Sequence, residues 1–291
     1  MHPIYPPLKF NTMNFFDMIR NIEKVDPEIY ERMDTRRKTM QQFARTGRAL
    51  ALTALPLALG SLFKKAYGRD TASVVGVLQF ALTLEYLEAE FYTKGVATAP
   101  IPAGPPLAAI TTIRDHENAH VTLLKTVITQ LGSTPVAKPT FDFSAGNGSN
   151  NGPFKDVFTN YALFLAVAQT FEDTGVRAYK GQAGELMENN DILTAALQIH
   201  SAEARHASHI RSMRRALLNN TTIKPWITGK DTGGIGAAVQ ASYNGEDLTT
   251  QAGANIVNIG NTGISVAAAS EAFDEPLTKD AVLAIVDPFI A

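Results

Sequence analysis

The sequence predicts an all-α protein: a four-helix bundle with one long crossover, preceded by N-terminal helices and followed by a loop-rich C-terminal extension. Two observations carry this reading. Four long segments repeat their apolar residues at helical spacing. Two short links flank one long link between them, which is the connectivity of a bundle with a single crossover. The chain of 291 residues then divides into an N-terminal helical segment (1–68), the bundle (69–220) and the extension (221–291).

The first helix is expected over about 70–97, "DTASVVGVLQFALTLEYLEAEFYTKGV". The second, about 105–131, follows "APIPAGPP" and stops at Gly132, a residue type that favours helix ends. The third is expected from Pro153 to about 180, because proline suits a first turn. The fourth, about 184–219, runs into "NNTTIKP". Between the second and third lies "GSTPVAKPTFDFSAGNGSNNG", whose Gly, Asn and Ser content marks the long crossover.

Composition removes several function classes. A formal net charge of −2 gives no electrostatic reason for a nucleic-acid partner. The chain has no cysteine, so disulfides, thiolate metal sites and cysteine nucleophiles are excluded.

The placement of acids is the informative feature. Stepping by three and four along the second helix gives Ile110, Ile113, Glu117, His120, Leu124 and Val127. The fourth gives Ile199, Glu203, His206 and Ile210, the third Leu165, Ala168, Glu172, Val176 and Tyr179, and the first Leu78, Leu82, Glu85, Ala89 and Tyr92. Each helix therefore carries a glutamate on its apolar stripe, and two add a histidine one turn later. Four unpaired buried carboxylates would each cost several kcal/mol or more, in the range of about 3–5 kcal/mol for an uncompensated charge. Two divalent cations would neutralise them, with two imidazoles completing the ligand set. One Glu from each of two helices and Glu-x-x-His from each of the other two is the pattern of dinuclear carboxylate bundles. Oxygen and imidazole ligands suit iron or manganese, with zinc also compatible.

Spacing strengthens the pattern. Glu85 precedes Glu117 by 32 residues and Glu172 precedes Glu203 by 31; Tyr92 follows Glu85, and Tyr179 follows Glu172, by seven. "LTLEYLEAEFYTKG" and "AQTFEDTGVRAYKG" read as two copies of one element, each bringing one metal half-site. Tyr92 and Tyr179 are either hydrogen-bond supports for ligating carboxylates or ordinary core tyrosines. Glu88, one turn after Glu85, is either an extra ligand or a flanking salt-bridge residue. His209, one turn past His206, is a supporting candidate, whereas His116 and His200 lie off the stripes and read as peripheral.

Together with "LQFALTLEYLEAEFY", the two Glu-x-x-His elements and the closing "EAFDEPLTKDAVLAIVDPF", the chain resembles the ferritin-like domain family. That family includes desiccation-related proteins of plants and stress-associated proteins of bacteria and fungi. The resemblance covers residues 70–219 most closely. It implies a ferritin-like four-helix fold. The wider superfamily holds ferritins, bacterioferritins, rubrerythrins and manganese catalases, whose ligand order matches Glu85, Glu117 with His120, Glu172, and Glu203 with His206. The expected function is that of a dinuclear iron or manganese protein with ferroxidase-, peroxidase- or catalase-like chemistry in oxidative or desiccation stress. Its partners would be metal ions and small oxidants, with homo-oligomer formation also compatible. Non-catalytic metal binding and a purely structural stress role are the alternatives.

Both ends carry further expectations. Arg36 and Arg37 precede an apolar run from Ala49 to Phe63, followed by Lys64 and Lys65. This run is shorter than the roughly 20 residues of a membrane span and is interrupted by Pro56. It fits either a twin-arginine-type export signal, with residues 36–65 meeting a membrane or export machinery and the protein going to the periplasm or cell envelope, or uncleaved helices of a cytoplasmic protein. The Gly-rich extension reads as loops wrapping the bundle, ending in a short helix from near Thr278 that Pro288 stops.

Overall fold

A computed structural model describes residues 71–291. The expected N-terminal helices, the twin-arginine-type signal and the contact surface at 36–65 lie outside the described residues. Four long helices form the bundle: α1 (Thr71–Thr98), α2 (Pro105–Gln130), α3 (Tyr161–Ala183) and α4 (Asn190–Leu217). α1 packs mainly on α2 and α3 mainly on α4, and the two hairpins meet through α1 with α3 and α2 with α4. Among the described residues, no helix is long and apolar enough to cross a membrane.

Local chemistry sets the helix ends. α2 starts with Pro105 and Pro106 after Gly104, whose φ of 90° disfavours any side chain, and ends before Gly132 at φ 79°. α3 begins at Tyr161 and not at Pro153. Residues 153–159 are turns, and Asn160 stands in an extended conformation with its side chain accepting a hydrogen bond from the Leu163 N–H at 3.1 Å. The fourth helix also starts later than its composition suggests. A 3₁₀ turn at Gly184–Leu186 precedes α4, and Asn189 caps it by accepting from the Ile192 N–H at 3.2 Å. In both cases an asparagine cap overrides helix-compatible residues before it.

The long crossover is packed against the bundle. Phe141, Phe143 and Phe154 are buried, and Phe91 of α1 stacks on Phe164 of α3 with ring centroids 4.8 Å apart. Asp142 holds the Gly- and Asn-rich turn together by accepting from the N–H groups of Ser144, Gly148 and Asn150. The crossover also receives the chain's last residues: Asp142 N–H donates to the Phe289 carbonyl, and Ala291 N–H to that of Thr140.

The extension wraps the outer side of α3 and α4 in loops, with a two-residue hairpin (β1, Thr250–Gln251; β2, Ala254–Asn255) and two short helices, α5 (Val266–Ser270) and α6 (Lys279–Val286). Thr278 caps α6 by accepting from the Ala281 N–H, and Pro288 lies in the turn that ends it. α6 packs on α3 through the buried Val282 and Val286.

Polar side chains fasten this layer. Gln169, Asp173 and Arg177 recur every four residues on the outer face of α3, and all three are buried. Arg177 donates to the carbonyls of Glu275, Ser242 and Asn244 and pairs with Glu246 at 2.6 Å. Asp173 receives a two-pronged bond from Arg211 of α4 (3.0 and 2.6 Å) and another from the Tyr243 hydroxyl. Arg214 joins Gln169 to the Gly233 carbonyl. Gly181 completes the fit, because a Cβ there would stand 1.9 Å from the Leu277 carbonyl oxygen.

An Arg177→Ala substitution leaves Glu246 as a buried, uncompensated charge beside three carbonyls without donors. Urea unfolding should show a loss of about 3–5 kcal/mol, with a smaller loss for Glu246→Gln, which removes the charge but keeps a polar partner. Equal losses for the two variants would contradict the role assigned to this ion pair.

Candidate metal centre

Each bundle helix brings one fully buried carboxylate to the middle of the bundle. Glu85, Glu117, Glu172 and Glu203 have no exposed surface, His206 is 5% exposed, and the His120 side chain is 12% exposed. At 100° per residue, positions three and four apart share a helix face, so His120 and His206 follow their glutamates into the same space.

Two groups result. Glu85, Glu117, His120 and Glu203 form one; Glu117, Glu172, Glu203 and His206 form the other. Within each group, one ligand atom from every member lies within 4.8 Å of the rest. Glu117 and Glu203 belong to both. Glu85 with His120 lies at one end, and Glu172 with His206 at the other. The shared pair comes from the helices carrying Glu-x-x-His, and the end pair from the duplicated elements.

The detailed contacts are those of groups converging on a common point. His120 Nδ1 lies 3.1 Å from Glu85 Oε2, 3.1 Å from Glu117 Oε2 and 3.3 Å from Glu203 Oε1. One ring N–H cannot serve three acceptors. His206 Nδ1 lies 2.9 Å from Glu117 Oε1 and 3.3 Å from Glu172 Oε2, yet none of these three atoms has a properly directed hydrogen bond. Both oxygens of Glu203 are likewise buried without a directed hydrogen bond. Such orphaned atoms are rare in native interiors. A hard, oxygen- and nitrogen-seeking cation within each group would take up the unpartnered atoms turned toward it, so each group could hold a metal ion.

The tyrosines cross between the copies. The Tyr92 hydroxyl of α1 donates to Glu172 Oε1 of α3 at 2.5 Å, and the Tyr179 hydroxyl of α3 donates to Glu85 Oε1 of α1. Each bond occupies one carboxylate oxygen and leaves Oε2 facing a histidine. This is the outer support that fixes a ligand's orientation.

Electrostatics follow the crowding. Burial opposes charge on His206, but Glu172 and Glu117 outweigh it and push its pKa up to about 11. His120 is driven far above the ordinary imidazole range in the same way, with Glu85 the main counterweight to burial. Burial raises Glu117 to about 7 against the pull of both histidines. Glu203 rises well above the carboxylate range through burial and then the charges of Glu117 and Glu172. For Glu85, burial is outweighed by His120 and the Tyr179 bond, which hold its carboxyl below the usual value.

Of the remaining candidates, Glu88 is 4% exposed on the inward side of α1 and meets no cation among the described residues, so it is not a flanking salt-bridge residue. Burial, then Glu203 and Glu172, hold its carboxyl well above the usual range. His209 is exposed on α4, away from the cluster. The inward stripe continues from His206 to Ile210, which turns position 209 toward solvent.

His116 is not peripheral but lies against a clustered histidine. Its Nδ1 lies 2.9 Å from His206 Nε2, with the rings stacked 5.2 Å apart. That contact occupies Nε2 and leaves Nδ1 of His206 toward the carboxylates. Its position four residues before His120 is the signal that could have found it. His200 does lie apart, with its Nδ1 against the Val176 carbonyl.

Comparison with known proteins agrees with this geometry. No curated protein matches the chain. A family model described as a ferritin-like domain matches residues 73–216, which span all four bundle helices and all six clustered residues. The bundle of this protein, with its buried glutamate–histidine cluster, is a ferritin-like domain.

Proposed function

We propose that the protein is a dinuclear-metal carboxylate protein that binds two iron or manganese ions and acts on peroxide or dioxygen in oxidative or desiccation stress. The observation that carries this reading is the set of orphaned atoms: five buried ligand-type atoms of Glu117, Glu172, Glu203 and His206 lack hydrogen bonds, and each of these residues brings a ligand atom within 4.8 Å of the others. Glu85 and His120 would hold one ion, Glu172 and His206 the other, with Glu117 and Glu203 spanning both. The bound ions would supply Lewis acidity and redox electrons. The chain's own contribution is orientation and exclusion of water. Tyr92 and Tyr179 fix the end carboxylates, His116 fixes the ring of His206, and Phe91, Phe164 and Phe171 keep the interior dry.

A metal-free structural role has one observation in its favour. With both imidazoles held protonated, the cluster compensates much of its own charge, so the bundle can fold before any ion arrives. The stress-protein alternative would rest on that self-compensation. Metal content separates the readings.

Elemental analysis of protein isolated without chelator or nickel resin should find about two transition-metal ions per chain, as this class of site requires. The double variant Glu85→Ala, Glu172→Ala should find none and lose any peroxide turnover. Full metal content in that variant, or none in folded wild type, would refute the dinuclear reading.

Loading should also release protons. The His206 pKa is pushed up to about 11, so at neutral pH the ring holds a proton that an arriving cation must displace. Affinity for Mn²⁺ should therefore increase with pH. Calorimetric titrations in two buffers of different ionisation enthalpy should give different apparent heats; identical heats would exclude proton release.

A further inference from the structure

Among the described residues, Glu88 is a buried carboxylate beside the centre that belongs to neither ligand group. It stands one turn beyond Glu85 on α1, and among the described residues no N–H, O–H or cation meets it. Across from it, Glu203 uses its two oxygens differently. Oε1 lies 3.3 Å from His120, while Oε2 is fully buried, has no hydrogen-bond partner and faces Gly175 of α3. A Cβ at Gly175 would lie 3.2 Å from Glu203 Oε2 and 3.2 Å from Glu88 Oε1. The missing side chain thus leaves a space that two carboxylate oxygens face from opposite helices. Beyond it a narrow cavity continues outward past Thr174 to Ile285 and Val286 of α6.

Two carboxylate oxygens turned toward one space, without a donor between them, repel each other unless a proton or a cation intervenes. The geometry points to a third divalent-cation position, held by Glu88 and Glu203 Oε2 above Gly175, on the side of the centre that α6 covers. This position rests on the dinuclear reading, because Glu203 is also a shared ligand of that centre. It makes Glu203 a carboxylate with one oxygen for the inner pair and one for the outer ion, and Gly175 the residue whose lack of a side chain creates the room. The small, oxygen-only ligand set suits a hard ion such as Mn²⁺ and makes the position weaker than the inner two.

The test is a titration of chelator-treated, full-length protein with Mn²⁺, counting free ion by electron paramagnetic resonance. Wild type should bind three ions per chain, the third about tenfold or more weakly than the first two, as fewer charged ligands dictate. Glu88→Gln keeps the shape but removes the charge, and Gly175→Ala fills the space from the opposite helix. Both variants should keep the two tight ions and lose the third, and retention of the tight pair itself shows that the bundle is intact. Two ions in wild type, or three unchanged ions in both variants, would overturn the third position while leaving the dinuclear reading standing. No bound ion in folded wild type would overturn both.

Discussion

Four carboxylates without solvent contact are brought together inside a single bundle, and the remainder of the structure is arranged around that concentration of charge. Each is fixed by a helix, and helices are rigid enough to keep like charges from relaxing apart. Compensation therefore has to come from within: two imidazoles whose Nδ1 atoms lie among the oxygens, and two tyrosine hydroxyls that each occupy one oxygen of an end carboxylate. Even so, several ligand-type atoms stay without partners. That residue of unmet bonding sets the cluster apart from a finished polar network and is why it could hold cations.

Duplication explains the form of the solution. Two helix hairpins, each with a Glu-and-Tyr helix followed by a Glu-x-x-His helix, face each other so that the tyrosine of one copy supports the glutamate of the other. Neither hairpin completes the site alone. The shared glutamates, Glu117 and Glu203, take part in both groups, and the cluster exists only when the copies are docked. A long crossover is needed to bring the second hairpin alongside the first, and its buried phenylalanines make that connection part of the core.

The outer layer solves a second problem of burial. α3 is buried from Phe164 to Tyr179, so its outward face also needs partners. Gln169, Asp173 and Arg177 supply a polar stripe there, and the extension meets it with backbone carbonyls, Glu246 and Tyr243. Buried arginines suit this task because one planar group can satisfy several carbonyls at once. The extension consequently seals the flank of the helix that carries Glu172 and Gly175, and α6 lies over the cavity leading to Glu88.

Sequence alone determined the helical class, the single crossover and the six clustered residues, because 3.6-residue periodicity turns spacing directly into a shared face. It also contained the Tyr92 and Tyr179 repeat, although not the fact that each serves the opposite copy. Helix starts were less legible: Asn160 and Asn189 act through one side-chain bond each, and nearby helix-compatible residues mask them. The contact of His116 with His206, the burial of Glu88 beside Gly175, and the exposure of His209 were decided by tertiary structure. Each depends on what a neighbouring helix places opposite that position, and the periodicity of one helix carries no information about the rotation and depth of the next.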